Sequence, residues 1–181
     1  MYIKKIIPLL FCWFSITSCV GDLDFTQIED YTASQEITNS LIYFTLSSDQ
    51  FFDESGVLQH VKVDVTDFEG FQDDYIKDNI IEATFYVEIK NEFDTDFSIQ
   101  FDFLDESNNI TYSLNKFEIV SNQLDYKYEE NIIINNQPNI KNTTQIRTTI
   151  RMNSPTALLN SNDTDELEFK SASKIYVETG D

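Results

Sequence analysis

The chain has 181 residues, of which 32 are acidic and 12 basic, giving a formal net charge of −20. Such acidity excludes general nucleic-acid binding and electrostatic adsorption to anionic lipid, because both need basic surface. The cysteines, Cys12 and Cys19, and the single tryptophan, Trp13, all lie in the first 19 residues. The remaining chain therefore has no disulfide, no thiolate nucleophile and no Cys-ligated metal.

Chain order begins with Met1 to Lys5, a short positive stretch, followed by an apolar run from Ile6 to Ile16 that Pro8 interrupts. A membrane-spanning helix needs roughly 20 apolar residues, so this run fits a secretory leader instead. It ends in Ile16-Thr17-Ser18-Cys19. An aliphatic residue, two small ones and a cysteine resemble the lipobox of bacterial lipoproteins. That resemblance implies cleavage before Cys19, a diacylglyceryl thioether on its sulfur and an acyl chain on the new amine. The membrane is then a partner through lipid, at about 0.8 kcal/mol per buried CH₂. Loss of Lys4 and Lys5 with the leader takes the net charge from −20 to −22. Val20, in place of aspartate, resembles the pattern sorted to the outer membrane. Gly21-Asp22-Leu23-Asp24 resembles the acidic export signals of small Bacteroidota lipoproteins, a group that the Ile- and Asn-rich composition also suits. Periplasmic and surface facing both remain open. The expected organisation is a signal peptide over 1–18, a lipidated acidic tether over 19–39 with a short helix near Phe25 to Tyr31, and a β-domain over 40–181.

From Leu41 onward, apolar residues recur with period 2, the mark of half-buried strands. Leu41 to Leu46 is a mixed run. Val61, Val63 and Val65 alternate with His60, Lys62 and Asp64. Ile81, Ala83, Phe85, Val87 and Ile89 form one face of the next strand. Phe97, Ile99, Phe101 and Phe103 form another. Short runs follow at Ile110 to Leu114, Phe117 to Val120, and Tyr126 through Ile134. Ile146, Thr148, Ile150 and Met152 oppose Gln145, Arg147, Thr149 and Arg151. A last segment starts at Leu167 and Phe169 and ends at Ile175 and Val177. Polar turns separate these runs at 91–96 and 105–109, and longer polar loops lie at 67–79 and 153–165. Asparagine tolerates positive φ, so it can serve turns in a chain with only four glycines.

Seven to nine strands with short links and no βαβ pattern predict an all-β fold, an antiparallel immunoglobulin-like sandwich. An eight-stranded barrel is the alternative. Val87 to Asn91, an acidic turn, then Phe97 to Asp105 resembles the strand, asparagine, strand core of late-embryogenesis-abundant type 2 sandwiches. That resemblance implies the same sandwich architecture.

Catalytic residues are scarce. His60 is the only histidine, and no Gly-x-Ser-x-Gly elbow, phosphate loop or dinucleotide fingerprint is present. The acidic pairs Asp73-Asp74, Asp94 with Asp96, Asp105-Glu106 and Glu129-Glu130 are the numbers expected by chance among 32 acids. For a metal, the loop Asn160-Ser161-Asn162-Asp163-Thr164-Asp165-Glu166 is the best candidate. Oxygens of Asn160, Asn162, Asp163 and Asp165 suit calcium, although the EF-hand glycine and final glutamate are missing. Arg147 and Arg151 share a strand face and could meet acidic neighbours. Phe51-Phe52, Phe68 and Phe71 fall in loops, where aromatics either mark a recognition site or pack under the sheet ends.

These features predict a non-catalytic, lipid-anchored outer-membrane module with no enzymatic cofactor. Its partner would be another envelope protein, engaged by strand addition or by loops. Two other readings compete: a calcium- or glycan-binding capture lipoprotein, and a hydrolase using paired carboxylates.

Overall fold

The computed structural model describes residues 32–154 and 159–180. The leader, Cys19 and the proposed helix near Phe25 to Tyr31 lie outside them. Residues Ser34–Thr179 form one compact unit. The described residues form nine strands: β1 (Ala33–Ser47), β2 (Val61–Asp67), β3 (Ile80–Asn91), β4 (Phe97–Leu104), β5 (Ile110–Ser113), β6 (Phe117–Ile119), β7 (Tyr126–Ile133), β8 (Gln145–Met152) and β9 (Glu166–Thr179). One short helix, α1 (Asp74–Asn79), occupies the loop before β3, with the Asp73 carboxylate accepting from Ile76 N–H at its start. The fold is the two-sheet antiparallel sandwich that the alternation predicts, not the barrel.

The first sheet runs β1-β9-β3-β7 and the second β2-β8-β4-β5, with β6 also pairing β4. Side chains alternate across each strand, so one face of each sheet supplies the core. Phe85, Val87 and Ile89 of β3 meet Phe97, Phe101 and Phe103 of β4, together with Phe169, Ile175 and Val177 of β9. Phe101 stacks on Phe169 with centroids 4.7 Å apart. Between the sheets, the void beside Leu41, Phe85, Phe101 and Phe169 is about 10 Å³, room for one water at most.

Three details depart from the sequence reading. Strand β1 begins at Ala33, so residues 33–39 belong to a strand rather than to the tether. Their polar alternation hid this, because β1 is an edge strand whose first half is largely exposed. The register shifts between Ile80 and Glu82, which buries Ile80 and leaves Ile81 41% exposed. The valines of β2 alternate as predicted but face solvent: Val63 is 58% and Val65 46% exposed.

Turn chemistry follows the asparagines. Asn108 (φ 62°) and Asn122 (φ 56°) adopt the left-handed conformation that glycine usually supplies. Asn91 is fully buried at the end of β3. Its amide donates to the carbonyls of Thr95 and Val120, each at 2.9 Å, and its Oδ1 accepts from Phe93 N–H at 3.1 Å. Every polar atom of that side chain is engaged, so it fixes the β3–β4 turn against β6.

Candidate interaction surface

The outer face of the second sheet collects the features that the core does not use. Register places Val61, Val63 and Val65 of β2 opposite Arg151, Thr149 and Arg147 of β8. Those three stand opposite Ser98, Gln100 and Asp102 of β4. Each row therefore reads valine, then arginine or threonine, then a polar residue. The two arginines are the only ones in the chain.

Arg147 is spent on this face itself. Its Nη2 and Nε donate to Asp102 Oδ2 at 2.6 and 3.2 Å, while Ser113 Oγ donates to Oδ1 at 2.6 Å. The expected acidic neighbour is thus the protein's own Asp102, which is only 9% exposed. Arg151 is exposed and has no ion pair among the described residues. It lies between Val61 and Ser98, so the face offers apolar area with one uncommitted cation.

A second cluster joins the two sheets at the β5 side. The hydroxyls of Tyr112, on β5, and Tyr128, on β7, both donate to the Glu130 carboxylate. Asn115 Nδ2 donates to Tyr128 Oη at 3.0 Å. Partial burial, and then the carboxylate contact, push the Tyr112 and Tyr128 phenols above their ordinary pKa. The sequence reading missed this cluster. A signal existed: Tyr126, Tyr128 and Glu130 lie at period 2 and so share one strand face.

The other predicted positions resolve into local structure. Asn160 Oδ1 accepts from Asn162 N–H at 3.0 Å, and Asp163 Oδ2 accepts from Asn160 N–H at 3.2 Å. Asn160 O accepts from Ser48 Oγ at 2.6 Å. Thus oxygens of Asn160 and Asp163, two of the four proposed calcium ligands, close their own turn. No group of three or more His, Cys, Asp or Glu residues among those described could hold a metal ion. The Asp105 carboxylate accepts from Asn109 Nδ2 at 3.0 Å and from Asn109 and Ser107 N–H at 2.8 and 2.9 Å, and these bonds, the Asn109 side chain first, hold its pKa below the usual value. Asp96 Oδ1 caps Ser121 N–H at 2.7 Å, and Asp94 Oδ1 accepts from Asn122 Nδ2 at 3.3 Å. Glu129 and Glu130 are consecutive on β7 and point to opposite faces. His60 Nδ1 is buried without a hydrogen-bond partner among the described residues.

The loop aromatics pack inward. Phe51, Phe68 and Phe71 are at most 5% exposed. Phe68 meets Phe71 edge-on at 5.0 Å and Phe103 at 6.1 Å. They plug the sandwich rather than form a binding platform. An open groove of about 220 Å³ lies over Glu88, Lys90, Tyr126, Lys127, Glu168 and Lys170. Its lysines are already paired: Lys90 with Glu92 at 2.5 Å, Lys127 with Glu88 at 3.1 Å and Lys170 with Glu168 at 2.8 Å.

No helix among the described residues is long and apolar enough to cross a membrane. No protein-family model matches the chain. No curated protein matches it either. Among solved structures, 63% of the chain superposes on 36% of a Parabacteroides distasonis protein inferred to be secreted, at 20% identity and a TM-score of 0.49. The VP2 subviral particle of infectious bursal disease virus aligns with 82% of the chain at 12% identity and a TM-score of 0.41, over 33% of its own length. The enzymatically active domain of bacteriophage CBA120 tailspike protein 4 aligns with 82% at 11% identity and a TM-score of 0.42, over 19% of its own length. The chain thus spans between about a fifth and little more than a third of the length of these three proteins.

Proposed function

We propose that the protein is a lipid-anchored outer-membrane lipoprotein whose β-sandwich serves as a non-catalytic interaction module. The lipobox at Ile16 to Cys19 supports the anchor, and the acidic stretch after it supplies a spacer. The observation that carries the interaction role is the solvent-facing valine strand β2 at the open edge of its sheet. Monomeric proteins rarely leave apolar strand edges open, because unpaired backbone groups recruit other chains. Of the paired carboxylates, Asp73, Asp94, Asp96, Asp105 and Glu130 already accept hydrogen bonds in caps, turns and the inter-sheet cluster.

Metabolic labelling with a palmitate analogue in the native host tests this reading. Wild-type protein takes up label and sediments with the outer membrane, whereas Cys19→Ala takes up none. Unlabelled wild-type protein, or a labelled Cys19→Ala variant, would overturn the lipid assignment. In-cell crosslinking through the β2 face tests the module: capture of a defined envelope component supports it, and no crosslinked product contradicts it.

A further inference from the structure

Among the described residues, no strand pairs with one side of β2. On the other it pairs with β8 from Val61↔Arg151 to Asp67↔Gln145. Two backbone bonds continue that register at its ends and fix which residues face which way. His60 O accepts from Met152 N–H at 2.9 Å, and Phe68 N–H donates to Thr144 O at 2.8 Å. Backbone direction alternates along an antiparallel strand. The even-numbered residues therefore bond to β8, and Val61, Val63, Val65 and Asp67 aim their N–H and C=O groups at the open edge. Side chains alternate as well. The exposed valines lie on the outer face, and Lys62, Asp64 and Thr66 lie on the inner one. Asp64 is exposed, so β2 overhangs the opposite sheet at this point. Lys62 has no ion pair among the described residues.

We propose that β2 pairs antiparallel with β2 of a second copy, about a two-fold axis through Val63. This deepens the interaction reading above by naming the partner. The register follows from two independent constraints. First, the residues that aim backbone groups outward must meet their counterparts, so odd-numbered residues pair with odd-numbered ones. Second, Lys62 must meet Asp64 and neither charge its like, which no other odd-to-odd register achieves. Centring on Lys62 places two lysines opposite each other, and centring on Asp64 places two aspartates opposite each other. Centring on Val63 sets Val63 opposite Val63, Val61 opposite Val65, and Lys62 opposite Asp64, twice by symmetry. Opposite charges directly across antiparallel strands are stabilising and like charges destabilising. Lys62, an obstacle to pairing with a chance strand, thus becomes the selector for this one. The product is an isologous interface with both second sheets continuous across it. A shared membrane anchor would favour it by raising effective concentration.

The test uses the full chain extracted in detergent, with mass followed by sedimentation across a dilution series. Wild-type protein is expected to dimerise reversibly. Lys62→Asp, which sets two like-charge pairs, weakens association by about tenfold or more. The double variant Lys62→Asp with Asp64→Lys restores it. In membranes, Val63→Cys is crosslinked to itself by a short bis-maleimide. Val61→Cys and Val65→Cys each fail alone, because equivalent atoms then lie about 13 Å apart along the strand, but they crosslink when mixed. Far-UV circular dichroism and melting temperature establish that each variant is folded. Folded Val63→Cys that does not crosslink, equal crosslinking at all three positions, or a double variant no better than Lys62→Asp would overturn the proposal. Crosslinking of the wild-type chain would reveal a free Cys19 thiol and overturn the lipid assignment alone, since the dependence on position 63 would persist.

Discussion

Replacing Glu130 by alanine tests the cluster that joins the two sheets. Its carboxylate accepts from Tyr112 on β5 and from Tyr128 on β7. Hydrogen bonds to a charged acceptor contribute about 1.5–3 kcal/mol each when shielded from water. Both phenols are only partly buried, so water replaces much of the lost acceptor. A net cost of about 2 kcal/mol remains. With a urea slope of roughly 2 kcal/mol/M, the unfolding midpoint falls by about 1 M. The phenols add a pH signature. Their folded pKa values lie above the ordinary 10.0, so the neutral form is favoured in the native state. Their stabilisation is fully present below pH 10 and is lost as pH rises through the folded values, because the unfolded chain releases those protons first. Wild-type stability should therefore decline above pH 10, and Tyr112→Phe with Tyr128→Phe should flatten that decline. Urea unfolding at pH 7 and pH 11 reads both effects. A midpoint shift under about 0.3 M for Glu130→Ala, or an alkaline slope unchanged in the double variant, would refute the reasoning.

Two further outcomes follow from packing and pairing. A Cβ at Gly70 would lie 2.5 Å from Phe68 Cζ, and Phe71 and Phe103 confine that ring. Gly70→Ala should therefore cost about 1–3 kcal/mol in urea unfolding. Arg147→Ala leaves the nearly buried Asp102 carboxylate with Ser113 as its one remaining side-chain donor, at a cost of about 1–2 kcal/mol after discounting for partial exposure. Arg151→Ala, with no ion pair to lose, should stay within about 0.5 kcal/mol of wild type. Equal effects of the two arginine variants in parallel melts would contradict the assignment of Arg147 as the paired one.

Much of the core was legible because it alternates. Phe97, Ile99, Phe101 and Phe103 could only be one buried face, and Ile146 through Met152 likewise. Asn91 was visible as a turn residue, although its three hydrogen bonds were not. The departures at β2 and Ile81 share a physical cause: period 2 tells which residues lie together, not which side faces water. The β2 valines were grouped correctly, yet they share the outer face with Arg147, Thr149 and Arg151, so the apolar side of the strand points outward. Ile81 kept the period of β3 until a register shift turned it out. Strand β1 was lost over 33–39 because an edge strand exposed on its faces carries no apolar alternation. Phe51, Phe68 and Phe71 lie outside strands, and only tertiary packing shows that they close the sandwich. The acidic loop at 160–166 had the oxygens of a cation site, but those of Asn160 and Asp163 turn back onto their own backbone.

The proposed anchor at Cys19 is tested most directly by the intact mass of protein extracted in detergent from the native host. The account predicts a chain starting at Cys19 and carrying the added mass of a diacylglyceryl group with or without an N-acyl chain. An unmodified mass, or a chain beginning at any other residue, would contradict it.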